Sequence, residues 1–189
     1  MLLDLIKKNR SYRRFYEEER MPESDLKEVV NLARLSASAA NLQPLKFRLV
    51  TSKQECEKVY KCLGWAGYLN DWLGPKPGER PAAYIVILRD IKGSRNVSWD
   101  TGIACQSMLL GAVEKGWGGC ILASIKKEKM HEYLQIPENM EIQLVVALGK
   151  PKEKVVVEEV GPDGDIRYWR DDKEVHHVPK RKLQDIIIK

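Results

Sequence analysis

The sequence predicts an α+β fold in which a mixed central β-sheet is sandwiched by helices, giving three layers of helix, sheet and helix. An uninterrupted apolar run rich in β-branched residues at 84–88, and a second run of the same character at 143–148, are typical of strands covered on both faces. Segments with helical periodicity lie before, between and after these runs, so helices and strands alternate. The length of 189 residues, with 43% hydrophobic and 31% charged residues, fits one domain over residues 1–189 and excludes a disordered or fibrous chain.

Two amphipathic helices are predicted at the start of the chain. The second follows Pro22, with Ser24 as its expected cap and Asp25 as an acid that favours a helix N-terminus. Between the helices, residues 10–21 are densely charged without any period, which indicates a connection that is free to hold a ligand. The apolar positions that define the helices are Leu2, Leu5 and Ile6, and then Leu26, Val29, Val30 and Ala33.

The next part of the chain predicts a strand at 46–51 and a helix at 53–62. A loop over residues 64–81 follows, and its glycines and prolines at 74–78 are typical of irregular backbone. This loop is long enough to act as a lid over a ligand.

The second half of the chain predicts one long helix and several shorter elements. Residues 100–115 carry apolar side chains at helical spacing with few charges and end at Gly116, which indicates a buried core or interface helix. Residues 150–160 mix charges with valine and fit either an edge strand or a solvated arm. The other predicted elements are a strand at 119–123, a helix at 127–134 that stops before Pro137, and a final helix at 181–188 after Pro179.

Composition also limits where the protein acts and what it binds. No apolar run approaches the ~20 residues that cross a bilayer, and charges interrupt residues 1–8 where a signal peptide needs an apolar core, so a cytoplasmic protein with no membrane partner is expected. The four cysteines form no C-x-x-C pair and have no histidine at ligand spacing, which argues against a zinc site or a disulfide framework. Ordinary buried or surface thiols are expected.

Basic residues cluster at both ends of a chain whose net charge is +5. Such clusters fit a nucleic-acid patch, a phosphorylated cofactor or substrate, or a solvated face. The clusters comprise Lys7, Lys8, Arg10, Arg13 and Arg14 near the start, and Lys180, Arg181 and Lys182 near the end.

Two short motifs favour the cofactor. Residues 10–13, Arg-Ser-Tyr-Arg, place two guanidinium groups and hydroxyls on one connection, and guanidinium forks match phosphate or a polarised carbonyl. Residues 36–44 end a helix with small side chains and then offer the Asn41 and Gln43 amides, which can pair with the polar edge of a heterocycle. A plain helix stop explains Asn41 and Pro44 but leaves Ser38 and Gln43 without a role.

The two motifs, in this order and at this separation, resemble the paired opening motifs of the FMN-dependent nitroreductase family. The resemblance continues through residues 100–115, which are similar to the family's long central helix, and through 116–122, which are similar to its glycine-containing turn into a strand. It implies an FMN oxidoreductase that passes electrons from NADH or NADPH to a small flat acceptor, such as a nitroaromatic or quinone, by a ping-pong mechanism. It also implies an interlocked homodimer with each FMN at the subunit interface.

The resemblance further implies roles for particular residues. Arg13 would lie near flavin N1 and the C2 carbonyl, where a fixed cation stabilises the reduced ring. No residue is implied as a protein nucleophile or general acid. The implied cofactor contacts are Arg10 and Ser11 at the phosphate and ribityl end, Ser38, Asn41 and Gln43 along the ring, the backbone of Ile121 and Leu122 facing the isoalloxazine, and Lys180 or Arg181 as a second phosphate cation.

The chain departs from the family pattern at two positions. Asn9 stands where the family usually has a first arginine, and Leu45 stands where a tryptophan usually follows Gln-Pro. A missing cation contact costs on the order of one to three kcal/mol, so we expect purified protein to be partly empty of FMN.

Two other kinds of site are tested by the sequence. A dinucleotide fingerprint beginning at Gly116 requires glycine or alanine at position 121, which is isoleucine, so a Rossmann nicotinamide site is excluded. His176 and His177 are neighbours that point to opposite faces of a strand and have no third ligand nearby, so no metal site is assigned. His131, among charged helix residues, fits a solvated position.

Three alternatives to a nitroreductase activity remain open at the level of the sequence. One is a specialised flavoenzyme of the same fold, such as a reductive dehalogenase, with residues 68–80 as its substrate lid. Another is a flavin-binding protein without turnover. A nucleic-acid binder that uses the two basic clusters ranks last, because it leaves residues 38–43 without a purpose.

Overall fold

A computed structural model describes residues 1–93 and 97–188 of the chain. Its helices are α1 (Leu2–Lys8), α2 (Glu23–Leu35), α3 (Lys53–Tyr60), α4 (Ser98–Glu114) and α5 (Lys127–Leu134). Its strands are β1 (Phe15–Tyr16), β2 (Leu45–Val50), β3 (Ala83–Asp90), β4 (Gly118–Leu122), β5 (Met140–Pro151), β6 (Val155–Glu159), β7 (Trp169–Arg170) and β8 (His176–Lys180).

The larger sheet is built around β3 and β5. β3 pairs antiparallel with β2 on one edge and with β5 on the other, and the far edge of β5 pairs antiparallel with β4 and then with β1. A single parallel bridge between Ser11 and Gly119 joins the N-terminal connection to β4. The predicted α+β class with a central sheet is confirmed.

The alternation of side chains along β3 creates two cores, one on each face of the sheet. Tyr84, Val86 and Leu88 pack with residues of α3 and α5, while Ile85 and Ile87 pack with residues of α2 and α4. Successive strand residues point to opposite faces, so an uninterrupted apolar run fills both layers. Each fully buried aliphatic side chain contributes about 1.5 to 3 kcal/mol, which explains why this strand lies at the centre.

Most predicted elements are present within one to three residues of their predicted bounds. The helix predicted at 127–134 has those bounds, the helix predicted at 100–115 is α4, and Gly116 follows it with a positive φ of 80°. The strands predicted at 46–51 and 119–123 are β2 and β4, the run at 84–88 lies within β3, and residues 143–148 lie within the longer β5. All four cysteines are buried as free thiols.

A second sheet resolves the alternatives at residues 150–160. β6 occupies 155–159 and pairs parallel with β8, which also pairs antiparallel with β7. The segment therefore contains a strand of a small three-stranded sheet.

Two sequence-based expectations are wrong. Ser24 does not cap α2, because the helix already begins at Glu23 and places Ser24 inside its first turn, with Pro22 before it. The final helix at 181–188 is absent, and only a short 3-10 turn at Leu183–Asp185 forms there. The three consecutive isoleucines at 186–188 lose side-chain freedom in a helix and lie exposed here, so no packing offsets that cost.

Among the described residues, no helix combines the length and apolar character needed to cross a bilayer.

Candidate functional site

One cavity is lined by most of the basic side chains that the sequence predicted as cofactor contacts. It lies between the N-terminal connection, α4, β4 and the small three-stranded sheet. Its volume is about 310 Å³, and we call it the cationic cavity. It joins residues from both ends of the chain, since Arg10 and Lys180 line the same space. The lining residues are Asn9, Arg10, Ser11, Arg13, Gln106, Leu109, Ile121, Tyr168, His176, Val178 and Lys180.

The N-terminal connection is held against β4 and a buried carboxylate. The Tyr12 N–H donates to the Gly119 carbonyl at 3.0 Å, beside the Ser11 bridge. The Glu153 carboxylate accepts the backbone N–H groups of both Arg13 and Arg14. This side chain is completely buried, so the position of the basic motif is fixed by the protein interior.

The Arg13 guanidinium is held by three contacts. Its Nη1 donates to the Ser11 carbonyl and to His176 Nε2, both at 3.2 Å. Its plane lies over the Tyr168 ring, 4.7 Å from the ring centroid, which is cation–π distance. Arg13 is therefore a nearly buried cation with a defined direction at the edge of the cavity.

His176 is neutral in this environment. It is 1% exposed, and burial together with the nearby Arg13 and Arg170 guanidinium groups lowers its pKa from the ordinary value to about 4. Desolvation penalises the charged ring, and two neighbouring cations add repulsion. His176 consequently adds no positive charge to the cavity near neutral pH.

The remaining donors suit a phosphate. Arg10 donates from Nη2 to the Ile6 carbonyl at 2.8 Å, while its buried Nε has no hydrogen-bond partner among the described residues. An unpaired buried guanidinium N–H beside a hydroxyl and an ammonium is a donor set that a bound oxyanion would satisfy. Lys180 supplies the ammonium, whereas Arg181 lines a separate surface depression with residues 160–162 and Gly164.

A second cavity, of about 260 Å³, lies beside the amide motif at residues 36–44. Ser38 Oγ accepts the Gln43 N–H at 2.9 Å, and Gln43 Nε2 donates to the Asn41 side-chain oxygen at 3.2 Å. Buried Asp100 accepts the Ala39 N–H at 3.0 Å. We call residues 36–44 the amide loop; Ser38 and Gln43 line this cavity, and Asn41 lies next to it.

The backbone of the amide loop is unusual. Asn41 and Gln43 both have positive φ, at 56° and 48°. Non-glycine residues rarely occupy this region, and they do so where the surrounding contacts hold them.

Helix α4 separates the two cavities. Asp100 and Ala104 line the cavity beside the amide loop, whereas Gln106 and Leu109 line the cationic cavity. Positions 104 and 106 are about 200° apart around a helix, so the two sets face in different directions. Within one chain, the cationic side chains therefore lie beside Ile121, whereas Ser38, Asn41 and Gln43 lie at the other cavity.

An exposed apolar stripe runs along α4 between the cavities. Trp99 is 71% exposed and Ile103 is 41% exposed, and Leu110, two turns further along α4, is partly exposed. Leu32 and Leu35 of α2 border an adjoining groove of about 360 Å³.

Comparison with known proteins identifies the family. The profile of the Nitroreductase family matches residues 6–150. The chain belongs to the nitroreductase family. The match ends before the small sheet, so Tyr168, His176 and Lys180 all come from the part of the chain beyond it.

Individual members of the nitroreductase family show how far the similarity extends. The chain is 29% identical over 160 residues to an Archaeoglobus fulgidus protein provisionally named NADH dehydrogenase/NAD(P)H nitroreductase, covering 80% of this chain and 86% of that protein. It is 25% identical over 166 residues to the iodotyrosine deiodinase of Thermotoga neapolitana, covering 80% and 89%.

Solved structures share the nitroreductase fold. A family member from Streptococcus pneumoniae superposes with a TM-score of 0.70 at 18% identity and covers 100% of both chains. An FMN-dependent nitroreductase from Clostridium difficile gives a TM-score of 0.65 at 21% identity, covering 80% of this chain and 88% of that one.

The structure also adds residues that sequence reasoning missed in this nitroreductase-family chain. Tyr168 and His176 contact Arg13, and Glu153 holds its backbone, yet all three lie at least 140 positions away in sequence. His176 was assigned no role, although its alternation with His177 on a strand was correctly predicted. Leu122 points into the core beneath β4, so Ile121 alone of this pair lines the cationic cavity.

Proposed function

We propose that this chain is an FMN-dependent oxidoreductase that takes electrons from NADH or NADPH and passes them, by a ping-pong mechanism, to a small flat acceptor such as a nitroaromatic or quinone. The observation that carries the proposal is the cationic cavity, where Arg10, Ser11 and Arg13 meet Lys180 from the other end of the chain. Family membership and the unpaired Arg10 Nε support the same ligand.

The chain's own residues divide the work of binding FMN. Arg10, Ser11 and Lys180 would hold the phosphate end through charged hydrogen bonds, and Ile121 offers a half-exposed apolar surface to the ring. When bound, FMN supplies the redox chemistry, since it accepts electrons from a nicotinamide and returns them to an acceptor. Arg13 would stabilise the negative charge that reduction places at the N1 edge.

The complete site in this proposal requires a homodimer. The cationic cavity and the amide loop flank the exposed stripe of α4 on either side, so one chain cannot present both to the same ligand. A two-fold interface centred on Trp99 and Ile103 would place Ser38, Asn41 and Gln43 of one subunit opposite the cations of its partner. The interface would also cover the apolar stripe.

The decisive experiment is an absorption spectrum of the purified protein, with FMN added, before and after anaerobic NADH or NADPH. Bands near ~450 nm that bleach on addition of the nicotinamide support the proposal. Bands that persist would identify a flavin-binding protein without turnover. Absence of bands after added FMN and desalting would overturn the proposed cofactor.

Reductive dehalogenation is the second candidate, because one relative is named an iodotyrosine deiodinase. Tyr68, in the loop over residues 64–81, contacts Tyr168 of the cationic cavity, and the two ring centroids lie 4.9 Å apart. In this reaction two electrons and a proton replace a carbon–halogen bond by carbon–hydrogen and release halide. Parallel assays with a halogenated phenol and a nitroaromatic, followed by halide release and nitro-group absorbance, distinguish the two activities.

A further inference from the structure

We infer that His176 is a positioning residue: as a neutral imidazole with its proton on Nδ1, it aims the Arg13 guanidinium and thereby sets how strongly Arg13 acts on a bound flavin. This inference deepens the proposed function and rests on it. It assigns a role to a residue of β8, beyond the part of the chain that the family profile matches.

The first step is the direction of the Arg13–His176 hydrogen bond. Arginine is a donor only and keeps its charge at all ordinary pH values. Arg13 Nη1 lies 3.2 Å from His176 Nε2, so this nitrogen must present its lone pair to the guanidinium. The opposite tautomer and the imidazolium would each point an N–H at another N–H. The contact therefore selects the neutral form protonated on Nδ1.

The second step concerns the other ring nitrogen. His176 Nδ1 is buried and has no hydrogen-bond partner among the described residues. The tautomer of a buried histidine is usually fixed by a partner at Nδ1. Here Nδ1 has no such partner among the described residues, so the contact with Arg13 fixes the tautomer of the ring. A buried N–H without a partner is also unfavourable, which is typical of a site that receives a ligand or an ordered water.

The third step is the stack that surrounds this pair. The His176 and Tyr168 ring centroids are 5.2 Å apart, and the Arg13 guanidinium lies over the same Tyr168 ring. Three groups thus restrain one another at the edge of the cationic cavity, where Arg13 and His176 are buried and Tyr168 is partly buried. Arg13 loses its freedom before any ligand binds, and such preorganisation strengthens binding.

The first test needs no flavin. In protein labelled with 15N-histidine, two-bond correlation spectra distinguish the two neutral tautomers and the imidazolium. We expect His176 to be neutral and protonated on Nδ1 at pH 7, and Arg13→Ala to release this preference. An imidazolium, or a neutral ring protonated on Nε2, overturns the inference.

The second test measures FMN binding and the midpoint potential in matched variants. His176→Phe keeps a ring against Tyr168 but removes both nitrogens, and we expect about tenfold weaker FMN binding and a lower midpoint potential. His176→Gln restores an acceptor for Arg13 and should recover most of both losses. His177→Phe, on the opposite face of β8, is the control and should change neither property.

A double-mutant cycle separates positioning from general structural damage. In an Arg13→Ala background, His176→Phe should have almost no further effect, because the group through which His176 acts is gone. Additive losses in the cycle, or a His176→Phe variant that matches the wild type, overturn the role of His176. Failure of the wild type to bind FMN overturns the proposed function itself and with it the flavin part of this inference.

Discussion

Glu153 accepts the backbone N–H of Arg13, joining the start of the chain to a buried carboxylate 140 positions later. The same carboxylate accepts the Arg14 N–H at 3.2 Å and a hydrogen bond from Arg170 Nη2, also at 3.2 Å. A fully buried carboxylate thus fixes the backbone of the basic motif and pairs with the Arg14 and Arg170 guanidinium groups.

Replacement of this carboxylate is expected to destabilise the protein strongly. Glu153→Ala leaves the Arg14 and Arg170 cations without their buried partner, which costs about 3 to 5 kcal/mol of unfolding free energy. Chemical denaturation measures the change. Glu174 is the control, since it pairs with the same two arginines while its own side chain is 60% exposed. Glu174→Gln should cost less than about 1 kcal/mol; equal losses would contradict the central position of Glu153.

The neighbours Lys180 and Arg181 are expected to differ in their effect on FMN binding. Lys180 lines the cationic cavity and Arg181 does not. Lys180→Ala should therefore weaken FMN binding by about tenfold or more, the value of one charged hydrogen bond. Arg181→Ala should leave the affinity unchanged. Titration of flavin fluorescence gives both constants, and the reverse order would place the phosphate elsewhere.

The exposed stripe of α4 gives a prediction about assembly. Ile103→Glu places a charge in the middle of the proposed interface, where its desolvation would cost several kcal/mol, so the dimer should dissociate and lose FMN. Light scattering after size-exclusion chromatography measures the mass. Leu73→Glu is the matched control, because Leu73 is fully exposed in the loop over residues 64–81. A wild-type protein that elutes as a monomer would contradict the interface.

His177 makes the small sheet sensitive to pH. Its Nδ1 lies 3.0 Å from Glu158 and its Nε2 lies 3.4 Å from Asp171, and the hydrogen bond with Glu158, followed by that with Asp171, raises the pKa of the ring. Because the folded pKa exceeds the unfolded value of about 6.5, this stabilisation is complete below that pH and disappears as the pH rises through the folded pKa.

Comparison with His177→Phe isolates this effect. In the wild type the His177 and Trp169 ring centroids lie 4.0 Å apart. Phenylalanine can keep this stacking contact but carries no charge. The wild type should exceed the variant in unfolding free energy most at acid pH, with the difference shrinking toward pH 8. His176 is present in both proteins, and the largest cause of its lowered pKa is burial rather than His177, so most of its opposite contribution cancels in the difference. A difference that does not vary with pH would contradict the assigned pairs.

Local patterns in the sequence were sufficient for most of the central fold. The run at 84–88 predicted a strand buried on both faces because alternate residues must fill two cores, and Gly116 marked the end of α4 because it takes a positive φ. The same patterns failed at 181–188, where apolar content suggested a helix but the isoleucines at 186–188 lie exposed, so no packing stabilises a helix there.

The sequence by itself determined which residue types could hold a phosphorylated cofactor, through the motif at 10–13 and the amide loop. Only the tertiary structure decided that Lys180 rather than Arg181 lies beside Arg10, that Glu153 fixes the Arg13 backbone, and that His176 contacts its guanidinium. It also separated the amide loop from the cations by the width of a helix. The physical reason is that helical and strand periods are local, whereas a buried ion cluster depends on contacts between distant segments that packing alone brings together.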